Sequence, residues 1–156
     1  MIDTMKRNWF KALGLGGLAA LTGCAQAQSG GRSVSTGFFN YTDRYIGDVV
    51  VDGAWIGGGD AYGMGGYAQG LLAPSNPNRK ALIKVEWNVG SIYDVASDSY
   101  TRAEVQRHQA EVPVAWPYPK NPRLLILHFY PDGHVEAELE EDQPRRRIPQ
   151  PAGYHR

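Results

Sequence analysis

Residues 124–139 read LLILHFYPDGHVEAEL, two apolar runs joined by Pro131-Asp132-Gly133. Pro and Asp suit right-handed turn positions and Gly the left-handed one, so this spacing predicts a β-hairpin with a three-residue loop and a glycine bulge. Such a loop sets Phe129 opposite Val135, whereas a two-residue loop would mix the two faces of the hairpin. The predicted core face is Leu125, Leu127, Phe129, Val135, Ala137 and Leu139, and the predicted solvated face is Ile126, His128, Tyr130, His134, Glu136 and Glu138.

Short runs of similar character fill the chain before this hairpin. Residues 49–56 predict a second hairpin with a tight turn at Asp52-Gly53, and Ala81–Asn88 alternates as a half-buried strand does. The stretch Ser99–Val114 fits either a strand or a helix, and we favour a strand that ends at Pro113. Together these patterns predict an all-β fold, a small antiparallel β-sandwich of about six to eight strands.

The N-terminal residues have the three parts of a signal peptide. A basic segment, which begins after Met1 or Met5, is followed by the apolar run Ala12–Leu21 and by Leu21-Thr22-Gly23-Cys24. The last four residues resemble the lipobox of bacterial lipoproteins. This resemblance implies that residues 1–23 are removed, that Cys24 is the lipid-attachment site, and that the protein is held at the periplasmic face of the outer membrane.

Domain boundaries follow from these segments. Residues 24–35 are predicted to be a flexible tether, residues 36–140 the β-sandwich domain, and residues 141–156 a loose Pro- and Arg-rich tail. Cleavage after residue 23 leaves 13 basic and 15 acidic side chains, and this balance argues against a nucleic-acid binder. The single Cys excludes a disulfide framework and multi-thiolate metal sites, and no cofactor is predicted.

A glycine-rich stretch, Gly57–Gly70, offers the first candidate binding site. We expect a long mobile loop whose exposed side chains contact a partner, with Asp60, Tyr62, Met64 and Tyr67 as the candidates. Residues 63–68 match the dinucleotide-binding spacing, but no helix-forming segment follows them, so we read the match as accidental. The acidic strand with Glu136 and Glu138 is the second candidate for partner binding.

Catalytic and metal chemistry find little support in the sequence. His128, His134 and Glu136 could form a Zn or Cu site, but on an open strand pair they would lack the groups that orient metal ligands. The Gly-x-Ser-x-Gly motif of serine hydrolases is missing. A catalytic pair of carboxylates, distant in sequence and close only in the folded chain, remains an alternative. We therefore expect a polar surface rather than a metal site, and a protein that is not an enzyme.

Three stretches carry a family resemblance: FNYTDRYIG at 39–47, VDGAW at 51–55 and LHFYPDGHVEA at 127–137. They resemble a proteobacterial lipoprotein family named for domain of unknown function 3304, over about residues 38–139. Cys residues that members carry in the Gly-rich loop are missing here, so any role of those thiols does not transfer.

This resemblance implies an immunity protein of a type VI secretion locus, with a phospholipase toxin as its cognate protein partner and the membrane as the site of its lipid anchor. It identifies no catalytic residue. The alternative is a structural or glycan-binding envelope lipoprotein that stacks sugar on Trp55, Tyr62 and Tyr67.

Overall fold

The computed structural model describes residues 31–156. The predicted signal peptide, Cys24 and the tether up to residue 30 lie outside the described residues. Within them the chain forms strands and connecting segments but no helix, and therefore no helix that could span a bilayer. The nine strands are β1 (Ser33–Asn40), β2 (Arg44–Val51), β3 (Ala54–Gly59), β4 (Met64–Leu72), β5 (Leu82–Asp94), β6 (Ser99–Thr101), β7 (Gln106–Pro113), β8 (Leu124–Phe129) and β9 (Val135–Glu140).

One mostly antiparallel sheet contains all nine strands, in the order β6-β5-β2-β3-β4-β1-β8-β9, with β7 also paired to β5. The pairing of β1 with β8 is parallel. The sheet bends so far that β7 approaches β9, where Val114 bridges Ala137 and the Ala115 amide donates to the Ala137 carbonyl at 2.7 Å. The core therefore lies between two facing layers, as in a small β-sandwich, and the predicted fold class is confirmed with one strand more than expected.

The predicted hairpin at 124–139 is confirmed in its register. Phe129 pairs with Val135 and Leu127 with Ala137, and the Tyr130 amide donates to the His134 carbonyl across the three-residue loop. The residues of the predicted core face are buried, except that Val135 is half-buried. Turn chemistry and hydrophobic alternation therefore determine this register together.

The other predicted strands are also present. Asp52 and Gly53 both have positive φ, as a tight primed turn requires, and join β2 to β3. Ile83, Val85 and Trp87 of β5 point into the core. The segment 99–114 is extended, as favoured, but divides into β6 and β7. Strand β1 begins at Ser33, and Val34 is buried, so the predicted tether extends three residues too far.

Residues 57–70 are not a mobile loop, so that prediction was wrong. They form the end of β3, a short turn and most of β4. Their glycines leave room for Phe38: a Cβ at Gly65 would lie 2.5 Å from the Phe38 ring, and Cβ atoms at Gly59 and Gly66 would each lie 2.9 Å from it. The glycines therefore let two strands pack closely over a buried ring, a requirement that sequence composition does not separate from flexibility.

We expect Gly65→Ala to lower the free energy of unfolding by about 1–3 kcal/mol, the usual effect of overpacking a core. The added methyl group would meet the Phe38 ring and also backbone atoms of Gly58 and Gly59, so neither side could yield easily. Chemical denaturation measures the effect. Gly90→Ala is the matched control, because its Cβ would come no closer than 3.9 Å to any atom. Equal stabilities of the two variants would contradict this explanation of the glycines.

Candidate functional site

Large apolar side chains are exposed on the outer surface of β2, β3 and β4. Trp55 is 65% exposed, Met64 60% and Tyr67 71%, and Tyr45 of the neighbouring strand is also exposed. We call these four residues the aromatic face. Exposed aromatic residues and Met on a rigid strand surface are typical of binding interfaces, because they offer large contact areas at low loss of side-chain freedom.

Glycines of the same strands leave room for the rings of this face. The Tyr45 ring lies across β3, since a Cβ at Gly58 would come within 2.6 Å of its hydroxyl oxygen, and a Cβ at Gly47 would lie 3.1 Å from its ring. On β4, the Gln69 amide donates to the Tyr67 hydroxyl at 2.6 Å. The outer surface thus presents aromatic rings beside bare backbone, which leaves them accessible to another molecule.

Two of the predicted contact residues in this region serve the protein's own structure. Asp60 accepts a hydrogen bond from the Tyr100 hydroxyl at 3.0 Å, although its side chain remains exposed. Tyr62 is half-buried and makes edge contacts with Tyr93 and Tyr154 at ring-centroid distances of 6.5 and 5.9 Å. Burial raises the pKa of Tyr62 and so keeps it neutral. Of the four predicted residues, Met64 and Tyr67 are the ones that project freely.

The second predicted contact pair, Glu136 and Glu138, is engaged by the C-terminal tail. The Arg147 guanidinium forms ion pairs with both carboxylates, and it also donates to the Tyr130 hydroxyl. This tail has no regular secondary structure, but it is not loose. It covers part of the hairpin face that the sequence predicts to be solvated. Its ion pairs also make the two carboxylates less available to a basic partner.

His128 and Ile126 of that face are fully buried, so the prediction of a wholly solvated face was wrong. They pack with Phe39 of β1 and with Tyr41 directly after β1, and the Arg146 guanidinium lies 5.6 and 5.2 Å from the centroids of those two rings. Alternation alone could not show this, because the covering residues come from a Pro-rich segment without a periodic pattern.

A chain of hydrogen bonds fixes the tautomer of His128. Its Nε2 lies 2.7 Å from Glu138 Oε1, and the carboxylate can only accept, so Nε2 carries the proton. The Tyr41 hydroxyl lies 2.8 Å from Nδ1 and accepts from the Arg147 amide at 2.9 Å, so this hydroxyl donates to Nδ1. Burial lowers the pKa of His128, and the bond to Glu138 only partly opposes this effect. His128 is therefore a neutral structural residue.

The conceivable metal site does not form. His134 stacks on Tyr130 at a centroid distance of 4.2 Å and pairs with Asp132, while His128 is enclosed by protein. Among residues 31–156, no group of three or more His, Cys, Asp or Glu side chains is arranged to hold a metal ion.

A cavity of about 290 Å³ lies beside the hairpin turn, and sequence analysis did not identify it. The Arg44 guanidinium borders the cavity and is held by a 2.8 Å bond from its Nε to the Gly90 carbonyl. His108 and Trp87 also line the cavity and stack on each other, with ring centroids 5.4 Å apart. The lining residues come from four separate chain segments, so local sequence patterns gave no signal for this cavity.

Comparison with known proteins places this arrangement in a family. Residues 39–137, more than half of the chain, match the family described as Protein of unknown function (DUF3304). The chain belongs to this family. No curated protein and no solved structure matches the chain. The family match contains the whole aromatic face and His128, whereas Arg146 and Arg147 lie beyond it.

We expect the stability of this family member to fall as the pH drops below about 6.5, the ordinary pKa of histidine. The pKa of His128 is lower in the folded state than in the unfolded state, so the unfolded chain binds the proton more readily, and acid favours unfolding. Urea denaturation at a series of pH values between 7 and 5.5, roughly the range in which histidine titrates, measures this slope.

His128→Gln provides the comparison for this test. The variant loses overall stability, but it should also lose the part of the slope that His128 contributes, whereas His155→Gln should keep it. An unchanged slope in His128→Gln would show that other groups cause the pH dependence.

Proposed function

We propose that the protein is a lipid-anchored periplasmic binding protein, an immunity protein that neutralises a type VI secretion phospholipase effector by stoichiometric binding. It would act by occupying the toxin and not by catalysing a reaction. The observation that carries this proposal is the aromatic face, where Trp55, Met64 and Tyr67 project from a rigid sheet. The family match to DUF3304 is consistent with the proposal and does not by itself specify this role.

The aromatic face has the composition from which tight protein interfaces are built. Trp and Tyr are enriched among the residues that dominate binding energy, where they fill pockets on the partner and exclude water. Arg44 and His108, at the edge of the separate cavity, could receive polar groups at the margin of a large interface. Tyr41 and His128 are buried and Glu138 is half-buried, so we assign this chain of hydrogen bonds a structural role in the proposal.

Attachment to the membrane would strengthen such an inhibitor. A phospholipase must reach the bilayer surface to act, and an inhibitor tethered at that surface meets it at a high effective concentration. The signal-like N-terminal segment and the lipobox-like residues 21–24 support attachment through Cys24 at the periplasmic face of the outer membrane. Several acyl chains would make this anchoring stable.

A structural or glycan-binding envelope lipoprotein is the second candidate. The exposed rings of Trp55 and Tyr67 favour it, because flat accessible aromatic rings stack on sugars. Tyr62, the third residue of that hypothesis, is packed against Tyr93 and Tyr154 and does not offer a free ring. The same surface would thus serve both functions, and binding experiments must separate them.

The lipid anchor is tested by mass spectrometry of the protein from the cell envelope. We expect residue 24 to be the N-terminus and to carry a diacylglycerol and an amide-linked acyl chain. Cys24→Ser should remain unprocessed and should leave the outer-membrane fraction. An unmodified Cys24 in a water-soluble product would contradict both the anchor and the location.

The binding function is tested by producing the chain together with candidate type VI phospholipase effectors. We expect protection of the cells and a one-to-one complex. Trp55→Ala and Tyr67→Ala should each weaken the affinity by at least roughly thirtyfold, which corresponds to about 2 kcal/mol for an interface hot spot. Titration calorimetry with the purified partners measures the change.

Val105→Ala is the matched control, because Val105 is also exposed, at 60%, but lies outside the aromatic face. It should bind and protect as the unchanged protein does. Retention on peptidoglycan that depends on Trp55 and Tyr67, together with no complex with the effector, would instead support the glycan-binding candidate.

A further inference from the structure

Two connecting segments form one surface at the end of the sheet where β1 begins. These segments are residues 73–81, between β4 and β5, and residues 114–123, between β7 and β8. The Trp116 indole donates to the Pro77 carbonyl at 2.8 Å, and the Tyr118 hydroxyl accepts from the Ala81 amide at 2.6 Å. These bonds hold the two segments together, and we call their joint surface the basic end.

Every charged side chain in these two segments is basic: Arg79, Lys80, Lys120 and Arg123. Within the described residues, none of the four makes a side-chain hydrogen bond or an ion pair. Acidic residues also lie at this end, namely Asp52, Glu140, Glu141 and Asp142. Among residues 31–156 none of them forms an ion pair with the four cations, and Asp52 and Glu141 accept the backbone amides of Lys84 and Asn121 at 2.7 and 2.5 Å. The four cations of the basic end therefore have no ion-pair partner within the described residues and can pair with anions of another molecule.

Apolar side chains surround these charges. Leu82 is 62% exposed and Trp116 51%, and Leu72 at the end of β4 is exposed as well. A shallow groove of about 420 Å³ lies between Ser75, Arg79, Lys80 and Leu82. Basic side chains next to an exposed Trp and Leu are the combination that favours the interface of a bilayer, where cations meet lipid phosphates and the indole lies at headgroup level.

The path of the chain brings this end close to the predicted anchor. The Arg32 guanidinium, directly before β1, donates to the Asn121 side chain at 3.0 Å, so β1 enters the sheet at the basic end. Gly31 follows Cys24 by seven positions in the chain. Even fully extended, such a segment reaches only about 25 Å. If Cys24 is lipidated, the basic end is the part of the folded domain within easy reach of the membrane.

We propose that the basic end docks on an anionic phospholipid surface, with Arg79, Lys80 and Lys120 on lipid phosphates and with Trp116 and Leu82 at the headgroup level. The hairpin turn at Pro131–Gly133, at the opposite end of β8, then points away from the bilayer. The aromatic face runs along the side of the upright sheet, where a protein that approaches the membrane can reach it. This orientation goes beyond the proposed immunity function and does not depend on which partner binds.

Hydrogen–deuterium exchange of the full chain, reconstituted into vesicles, tests this proposal. On vesicles that contain phosphatidylglycerol, we expect slower amide exchange in residues 73–81 and 114–123 than on vesicles of phosphatidylcholine alone. High salt should remove the difference, because it screens charges at the membrane surface. Residues around the hairpin turn should exchange equally on both.

A charge-matched pair of variants makes the test specific. Arg79→Glu/Lys80→Glu/Lys120→Glu should abolish the slower exchange, and Arg102→Glu/Arg107→Glu/Arg145→Glu, which changes the net charge equally at exposed sites elsewhere, should keep it. Near-ultraviolet circular dichroism verifies that both variants are folded. The same slowing in both triple variants, or no slowing on anionic vesicles, would overturn the proposal.

Soluble glycerol phosphate distinguishes a headgroup pocket from a membrane surface. We expect it to leave exchange unchanged at concentrations where vesicles act. Equal slowing by glycerol phosphate without vesicles would overturn membrane docking. No effector is present in these measurements, so their outcome is independent of the toxin-binding test.

Discussion

The whole sheet depends on the space that glycines leave for the Phe38 ring. Phe38 lies in the second half of β1, in edge contact with Phe129 at a centroid distance of 5.2 Å, and Phe129 in turn contacts Trp87 at 5.4 Å. These three rings join β1, β8 and β5 across the core. They can approach only because Gly59 and Gly65 carry no side chains beneath Phe38. The same absence of side chains brings β3 close to β4, while Gly47 and Gly58 leave room for the Tyr45 ring on the outer surface.

The C-terminal tail completes the structure as a partial third layer. Arg146 covers the rings of Phe39 and Tyr41, Arg147 neutralises two glutamates of β9, and Arg156 lies 5.2 Å from the centroids of Tyr93 and Tyr100 while it pairs with Asp98. Three arginines thus fasten a segment that has no secondary structure of its own. His128 and Ile126 of the hairpin's outer face become interior, and the surfaces left for partners in residues 31–156 are the aromatic face, the cavity at the hairpin turn and the basic end.

Sequence patterns predicted the fold more fully than the site, and particular residues show why. The turns at Asp52-Gly53 and at Pro131-Asp132-Gly133 fix registers through local chemistry, so both hairpins could be predicted. The parallel pairing of β1 with β8 joins residues about ninety positions apart, and no local signal reports it. His128 illustrates the same limit, because its burial depends on Arg147, which lies in a segment without periodicity. Glycine composition around Gly65 does not distinguish a flexible loop from closely packed strands, since both require glycine.

The glycine-rich segment is a strand pair and not a mobile loop, and this difference lowers the entropic cost of binding through it. A mobile loop would have to become ordered in a complex, at a free-energy cost of about 1–2 kcal/mol for each backbone residue that is fixed. Tyr67 instead projects from a strand that is already paired, and Tyr45 already rests on the backbone of its neighbour. Less of the gross contact energy is then lost when a partner binds, which is the main advantage of preorganisation. Strand pairing, and not loop mobility, therefore makes the aromatic face suited to stoichiometric capture.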